Sequence, residues 1–286
     1  MNNALEIRGL TKAYPGFRLD GLDLTLPGGC IMGLIGENGA GKSTTIKLIL
    51  GMIRKDSGTV KILGRDSSAD EETADTVLTG EDIGVVMDEV GIPECLNIRQ
   101  IGRVMKNTFR NWDQTAYENL TAKFALPEGK AFKDFSRGMK MKTGIAVALS
   151  HGAKLLILDE ATAGLDPVVR DEVVEMLSEF TRKEDHSILI SSHIVSDLEK
   201  LCDYVAFLHK GRLMLCEEKD VLLSEYGVIH CTAEQLAELP ENAVMHKKEN
   251  PYGVEAIARR EGLSADLAVN PVSIEELFVY MAREAE

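Results

Sequence analysis

The chain has 286 residues, 44% of them hydrophobic and 27% charged, which is the composition of a globular protein with a sizeable core. Acidic residues outnumber basic ones by 46 to 32, and the net charge of −14 disfavours a nucleic-acid partner, which normally meets a basic surface. No apolar run approaches the roughly 20 residues of a membrane span, and the N-terminus lacks the apolar segment of a secretory signal. Five scattered cysteines without a CxxC pair indicate reduced thiols in a cytosolic protein.

The first third of the chain predicts β-structure, then a strand, a loop and a helix. Apolar and polar residues alternate in LEIRGL and FRLDGLDLTL, as expected of two half-buried strands. The continuous apolar run CIMGLIG (30–36) predicts a strand buried on both faces. A glycine-rich loop and a helical pattern over 42–50 follow it, and GTVKILG (58–64) and IGVVM (83–87) predict further strands.

The rest of the chain predicts three further parts. From about residue 89 to 150 the apolar residues recur at helical spacing, which indicates a helical subdomain inserted into the sheet. Buried strands return at 155–159 and 187–193 with a helix over 168–180 between them, and a hairpin over 203–217 turns at Lys210-Gly211. After about residue 220, short strands, an Asn250-Pro251-Tyr252-Gly253 turn and a helix opened by a Ser273–Glu276 capping box predict a small α+β unit. The expected domains are 1–220 and 221–286.

A phosphate-binding motif is complete between the first buried strand and the first helix. It reads Gly36-Glu37-Asn38-Gly39-Ala40-Gly41-Lys42-Ser43 and is followed by Thr44. Such a loop offers backbone N–H groups to phosphate oxygens, and the helix that follows adds its positive N-terminal end. Lys42 is placed for the β- and γ-phosphates and Ser43 for Mg²⁺. We therefore predict a nucleoside triphosphate site.

Two carboxylates end the buried strand LLILDE. Ligands of α/β sheets bind at the carboxyl ends of the strands, so Asp159 is expected to hold Mg²⁺. Glu160 is expected to orient and deprotonate an attacking water. A phosphate-loop kinase needs no such acid, which disfavours that alternative.

The segment Phe135-Ser136-Arg137-Gly138-Met139-Lys140 lies between these two motifs. Ser136 is placed to cap the helix that follows, whose N-terminus then offers N–H groups to a second anion. Taken alone, the segment is more often a capped helix without any ligand, but its position just before a helix and the acidic strand favours the anion site. A second phosphate site that is too far from Lys42 to share its nucleotide is explained if two chains meet head to tail.

Taken together, the motifs resemble those of ATP-binding subunits of ABC transporters. They occur in that family's order, with ATAGLDP (161–167) and SSH (191–193) completing the set, and the similarity covers residues 4 to 220. Within the family the chain is similar to the bacterial antibiotic- and peptide-export branch, including the bacitracin-resistance type. The resemblance implies an α/β phosphate-loop ATPase core with an N-terminal antiparallel part, an inserted helical subdomain and a C-terminal appendage.

The resemblance also implies roles for further residues. Tyr14 would stack on adenine, unless it is an ordinary turn tyrosine. Ser136 and Gly138 match the signature serine and second glycine, which contact the γ-phosphate bound to the partner chain. Asp166 would link the two sites of a dimer, and His193 would contact the γ-phosphate as a catalytic switch, unless it is a structural histidine.

Two motif positions depart from the family pattern. The signature usually reads LSGGQ but is FSRGM here, so Arg137 stands at the first glycine. Asp88 stands where the family usually carries a glutamine, and its carboxylate is expected to ligate Mg²⁺.

The expected function is that of an ATP-hydrolysing subunit that dimerises around ATP and Mg²⁺ and powers a separate membrane permease, for export. It would lie in the cytoplasm on the inner face of the membrane, with Val90-Gly91-Ile92-Pro93 as a candidate docking surface or simply a loop packed on its own subdomain. The alternative is a soluble ABC ATPase that acts on a ribosome or DNA. Those proteins usually carry two ATPase units or a long coiled coil, and neither is present in this sequence.

Overall fold

A computed structural model describes residues 3–66, 80–240, 243–250, 253–261, 263 and 267–284. The N-terminal part is a four-stranded antiparallel sheet of order β2-β1-β4-β5. Its strands are β1 (Asn3–Tyr14), β2 (Phe17–Pro27), β4 (Ser57–Ile62) and β5 (Arg65–Asp66). Between β2 and β4 lie β3 (Ile31–Ile35) and α1 (Lys42–Ile49), as the sequence predicts.

A six-stranded sheet forms the centre of the molecule, in the order β10-β9-β3-β8-β7-β6. Its further strands are β6 (Ile83–Val86), β7 (Leu155–Asp159), β8 (Ser187–Ser192), β9 (Tyr204–His209) and β10 (Arg212–Glu218). β3, β6, β7, β8 and β9 run parallel, and β10 returns antiparallel to β9 in the predicted hairpin. The predicted α/β fold is confirmed.

The helical insertion lies between β6 and β7. It comprises α2 (Ile98–Thr108), α3 (Gln114–Lys123), a 3₁₀ turn (Phe132–Asp134) and α4 (Arg137–Leu149). After β7 come α5 (Pro167–Phe180) and, after β8, α6 (Val195–Leu201). No helix in the described part of the chain is long and apolar enough to cross a bilayer.

The C-terminal unit contains α7 (Lys219–Glu225), β11 (Tyr226–Cys231), α8 (Ala233–Ala237), β12 (Val244–Asn250), β13 (Gly253–Arg259), β14 (Val269–Asn270) and α9 (Ile274–Glu284). Its sheet has the order β12-β13-β11-β14. Ser273 and Glu276 form the predicted capping box at α9. Pro251 and Tyr252 of the predicted turn lie outside the described residues. The domain boundary at 220/221 stays a prediction. α9 packs on the central sheet, where the ring of Phe278 lies 5.5 Å from that of Phe207 in β9.

The central sheet is buried on both faces because alternate residues of each strand enter two different cores. In β3, Met32 and Leu34 pack toward the antiparallel sheet and α1, whereas Ile31 and Ile35 pack toward the helices on the other side. This explains why the run CIMGLIG is apolar throughout instead of alternating. The five cysteines are free thiols, and burial raises the pKa of Cys202 and Cys216.

Candidate active site

The phosphate loop lies between the end of β3 and the start of α1, where the sequence predicts it. The Lys42 ammonium donates to the backbone oxygens of Gly36 (2.6 Å) and Glu37 (3.3 Å), and the side chain is only 6% exposed. Gly41 has φ 112°, and a Cβ there would lie 2.9 Å from the ring of Phe17. The loop therefore needs glycine at this position, both for its backbone angle and for its contact with Phe17.

Strand register brings the acidic strand to the same edge of the sheet. Ile35 at the end of β3 pairs with Ser192, and Asp159 at the end of β7 pairs with Ser191. Asp159 is almost fully buried and accepts a 2.6 Å hydrogen bond from Ser191 Oγ. Ser191, for which the sequence predicted no role, thus orients the carboxylate that was expected to hold Mg²⁺.

Glu160 occupies an uncommon backbone conformation. Its φ is +54°, a region that non-glycine residues rarely adopt and that often marks a functional position. Its N–H donates to both Ser191 O (3.1 Å) and Ser191 Oγ (3.2 Å). The carboxylate lies between Lys42 Nζ, 3.5 Å from Oε1, and His193 Nδ1, 2.6 Å from Oε2. The structure therefore brings Glu160, Lys42 and His193 together, and the contact between His193 and Glu160 was not predicted.

These groups line one cleft of about 700 Å³. It is bordered by the phosphate loop, Glu160 and His193, together with Gly16, Phe17, Asp88 and Arg137. The sequence assigned no role to Phe17 or Arg137. Arg137 could have been noticed because it stands where the family usually has a glycine. For Phe17 the sequence shows only an aromatic residue after a turn.

Ser136, Gly138 and Asp166 do not line this cleft among the described residues. Ser136 caps α4 by accepting from Met139 N (3.3 Å), and Asp166 caps α5 by accepting from Val169 N (3.2 Å). A Cβ at Gly138 would lie 3.2 Å from Gly164 O, so the start of α4 closely approaches the loop that carries Asp166. The predicted cap by Ser136 is confirmed, whereas the sequence did not predict the cap by Asp166. The roles of these residues toward a second nucleotide stay predictions.

Asp88 and Arg137, which both border the cleft, form an ion pair in which Arg137 Nη2 donates to Asp88 Oδ1. The neighbouring segment 90–93 is only partly open, since Val90 and Ile92 pack against the helical core and Gly91 and Pro93 are exposed. The predicted docking surface is accordingly small.

Tyr14 lies at the end of β1 and is 42% exposed. The Lys12 ammonium is 5.6 Å from its ring centroid. Tyr14 does not border the phosphate cleft, but the turn residue Gly16 and Phe17 do. A nucleoside that extends from the phosphate loop past this turn can reach Tyr14 only beyond the edge of the cleft.

The residues expected at Mg²⁺ are an exposed hydroxyl, Ser43, and the carboxylates of Asp159 and Asp88. No group of three or more His, Cys, Asp or Glu side chains suited to a metal occurs in the described ranges. Oxygen ligands that are completed by phosphate oxygens and water are the usual surroundings of Mg²⁺ at nucleotide sites, so this donor set fits.

Known proteins resemble this chain in sequence and in structure. A family model described as ABC transporter matches residues 19–163. A lantibiotic transport ATP-binding protein of Streptococcus pyogenes is 34% identical over 85% of this chain and 99% of its own length. A bacitracin transport ATP-binding protein of Bacillus licheniformis is 33% identical over 75% of this chain and 69% of its own. A solved structure of an ATP-binding subunit of an ABC transporter is 28% identical and covers 77% of this chain and 91% of its own, with a TM-score of 0.67.

Proposed function

The chain belongs to the ABC transporter family and is an ATP-hydrolysing subunit, and we propose that Glu160 is the general base of its reaction. The observation that carries this proposal is the position of the Glu160 carboxylate, held between Lys42 Nζ and His193 Nδ1 at the end of a buried strand.

Different residues of the cleft have different roles in the reaction. Lys42 and the N–H groups of the phosphate loop bind the β- and γ-phosphates, and His193 orients Glu160 from the other side. Glu160 accepts a proton from the water that attacks the γ-phosphorus, the bond to the β-phosphate oxygen breaks, and ADP and phosphate leave. Ser43 and Asp159 would hold Mg²⁺, which would neutralise charge on the phosphates when bound.

We further propose that two chains clamp two ATP molecules, with Ser136 and Gly138 of each chain on the nucleotide of the other. Support comes from the exposed start of α4, where Ser136 and Gly138 do not line the cleft of their own chain, although Arg137 does. The same assembly would act on a membrane permease that exports a peptide or antibiotic, because the relatives are transport proteins for lantibiotics and bacitracin. The chain would then lie at the cytoplasmic face of the membrane. The similarity to these transport proteins favours a transporter subunit over a soluble ATPase that acts on a ribosome.

The test is Glu160→Gln, which keeps the shape and removes the base. Turnover should fall by about 100-fold or more, the range of general-base catalysis, while ATP affinity stays within about two-fold. Because hydrolysis no longer reopens the assembly, ATP should shift the variant to a dimer in size-exclusion chromatography.

Glu175→Gln on the exposed face of α5 makes the same chemical change outside the cleft and should keep the parent turnover. Parent-like turnover in Glu160→Gln would remove Glu160 from its proposed role.

A further inference from the structure

Arg137 is the first residue of α4, but its side chain turns back into the cleft of its own chain. Two contacts direct it there. Its aliphatic part lies over Gly164, since a Cβ at that glycine would be 3.6 Å from Arg137 Cδ. Its guanidinium donates to Asp88 and borders the cleft that contains Lys42 and His193.

The cleft thus holds two cation–carboxylate pairs, Lys42–Glu160 and Arg137–Asp88. They differ in how firmly the cation is held. Lys42 is buried and bonded to two carbonyl oxygens as well, whereas the Arg137 side chain is 60% exposed and Asp88 is its polar partner.

An exposed ion pair adds little net stability, so the Arg137–Asp88 pair is easily exchanged for a stronger one. A phosphate group carries more charge than a carboxylate and fits the planar fork of a guanidinium with two parallel hydrogen bonds. A triphosphate that lies along the phosphate loop enters the cleft bordered by this guanidinium.

We propose that Arg137 binds the terminal phosphate of the nucleotide in its own chain's cleft, and that Asp88 holds the guanidinium when no phosphate competes for it. This rests on the proposed function, because the phosphate belongs to ATP bound by the loop around Lys42. The start of α4 would then contact two nucleotides, with Arg137 on the one bound by its own chain and Ser136 on the one bound by the partner chain.

The experiment compares ATP and ADP binding by calorimetry in a chelator, at dilutions where sedimentation shows a monomer. Arg137→Gln should weaken ATP about ten-fold, which equals about 1.4 kcal/mol, and ADP by about two-fold at most, since ADP lacks the terminal phosphate. Lys133→Gln removes an exposed cation from the same subdomain outside the cleft and should leave both affinities unchanged.

Asp88→Asn supplies the second arm. Removing the competing carboxylate should tighten ATP by about three-fold in the parent but not in Arg137→Gln, because the effect passes through the guanidinium.

Three results overturn the inference. Equal losses of ATP and ADP in Arg137→Gln indicate structural support only. Unchanged ATP affinity in the monomer together with slower turnover in the dimer places Arg137 on the partner's nucleotide. Equal tightening by Asp88→Asn in both backgrounds removes the link between the two residues. If the parent chain binds no ATP, or Lys42→Ala binds it as well as the parent does, the proposed function fails and takes this inference with it.

Discussion

The phosphate loop and the start of α4 are two helix N-termini built in opposite ways. In the loop, Lys42 is 6% exposed and is held by two carbonyl oxygens and a carboxylate of its own chain. At α4, Ser136 and Arg137 are exposed, with a cap and an ion pair as their polar contacts. The polar contacts of Lys42 come from its own chain, whereas the start of α4 keeps exposed polar groups that we propose bind phosphates.

The largest effect on ATP affinity is expected from a substitution in the phosphate loop. Lys42→Ala removes the ammonium from the phosphates and leaves Glu160 without its cation. Hydrogen bonds to charged groups contribute about 1.5–3 kcal/mol each, so ATP affinity should fall by roughly 100-fold in calorimetry. Lys47→Ala, an exposed lysine in the last turn of the same helix, should bind ATP like the parent. Comparable losses in both variants would mean that the loop does not bind the phosphates through Lys42.

The second prediction asks whether the start of α4 serves the other chain. A dimer that pairs one Lys42→Ala chain with one Ser136→Ala chain keeps one site with both groups intact, and the opposite site carries both defects. This mixed dimer, isolated with two different tags, should hydrolyse ATP faster than either homodimer.

The control for that experiment separates capping from catalysis. Losing an N-cap costs about 1 kcal/mol of stability, and Asp113→Ala removes the equivalent cap of α3. It should lower the melting temperature as much as Ser136→Ala does, but keep turnover. A mixed dimer no faster than the homodimers would argue against the two-chain site.

The phosphate loop could be predicted from the sequence, whereas the ion pair at the start of α4 could not. The groups of the phosphate loop and LLILDE are contiguous, so a short motif contains both the residues and the backbone that places them. The pairing of Asp88 with Arg137 joins positions 49 residues apart, and no local pattern indicates it. Phe17 was missed for the same reason, since its contact with Gly41 arises only when the hairpin folds over the loop. The fold was predictable because each buried strand is apolar on both faces, whereas α3, α7 and α8 are short or weakly patterned.

A third prediction sharpens the electrostatic side of the comparison. Asp88→Asn keeps the size of the side chain and removes a charge close to the expected metal. Two unit charges about 4 Å apart interact by roughly 1–4 kcal/mol, depending on how much water surrounds them. Asp88 is exposed, so we expect an interaction of about 1 kcal/mol. The Mg²⁺ concentration for half-maximal turnover should therefore rise by about five-fold. Asp134→Asn removes the charge of an exposed carboxylate outside the cleft and should leave the titration unchanged. Superimposable curves for parent and Asp88→Asn would show that the Asp88 carboxylate does not serve the metal.

A fourth prediction concerns the nucleoside, which we do not expect either helix N-terminus to bind. Stacking of a base on an aromatic ring contributes about 1–3 kcal/mol, and Tyr14 is so exposed that the low end applies. Tyr14→Leu should weaken ATP by about five-fold but leave inorganic tripolyphosphate unchanged, because that ligand has phosphates and no base. Phe17→Leu is the informative comparison, since Phe17 touches the loop at Gly41 and its loss should weaken both ligands. If Tyr14→Leu weakens tripolyphosphate as much as ATP, the tyrosine supports the turn and does not stack on adenine.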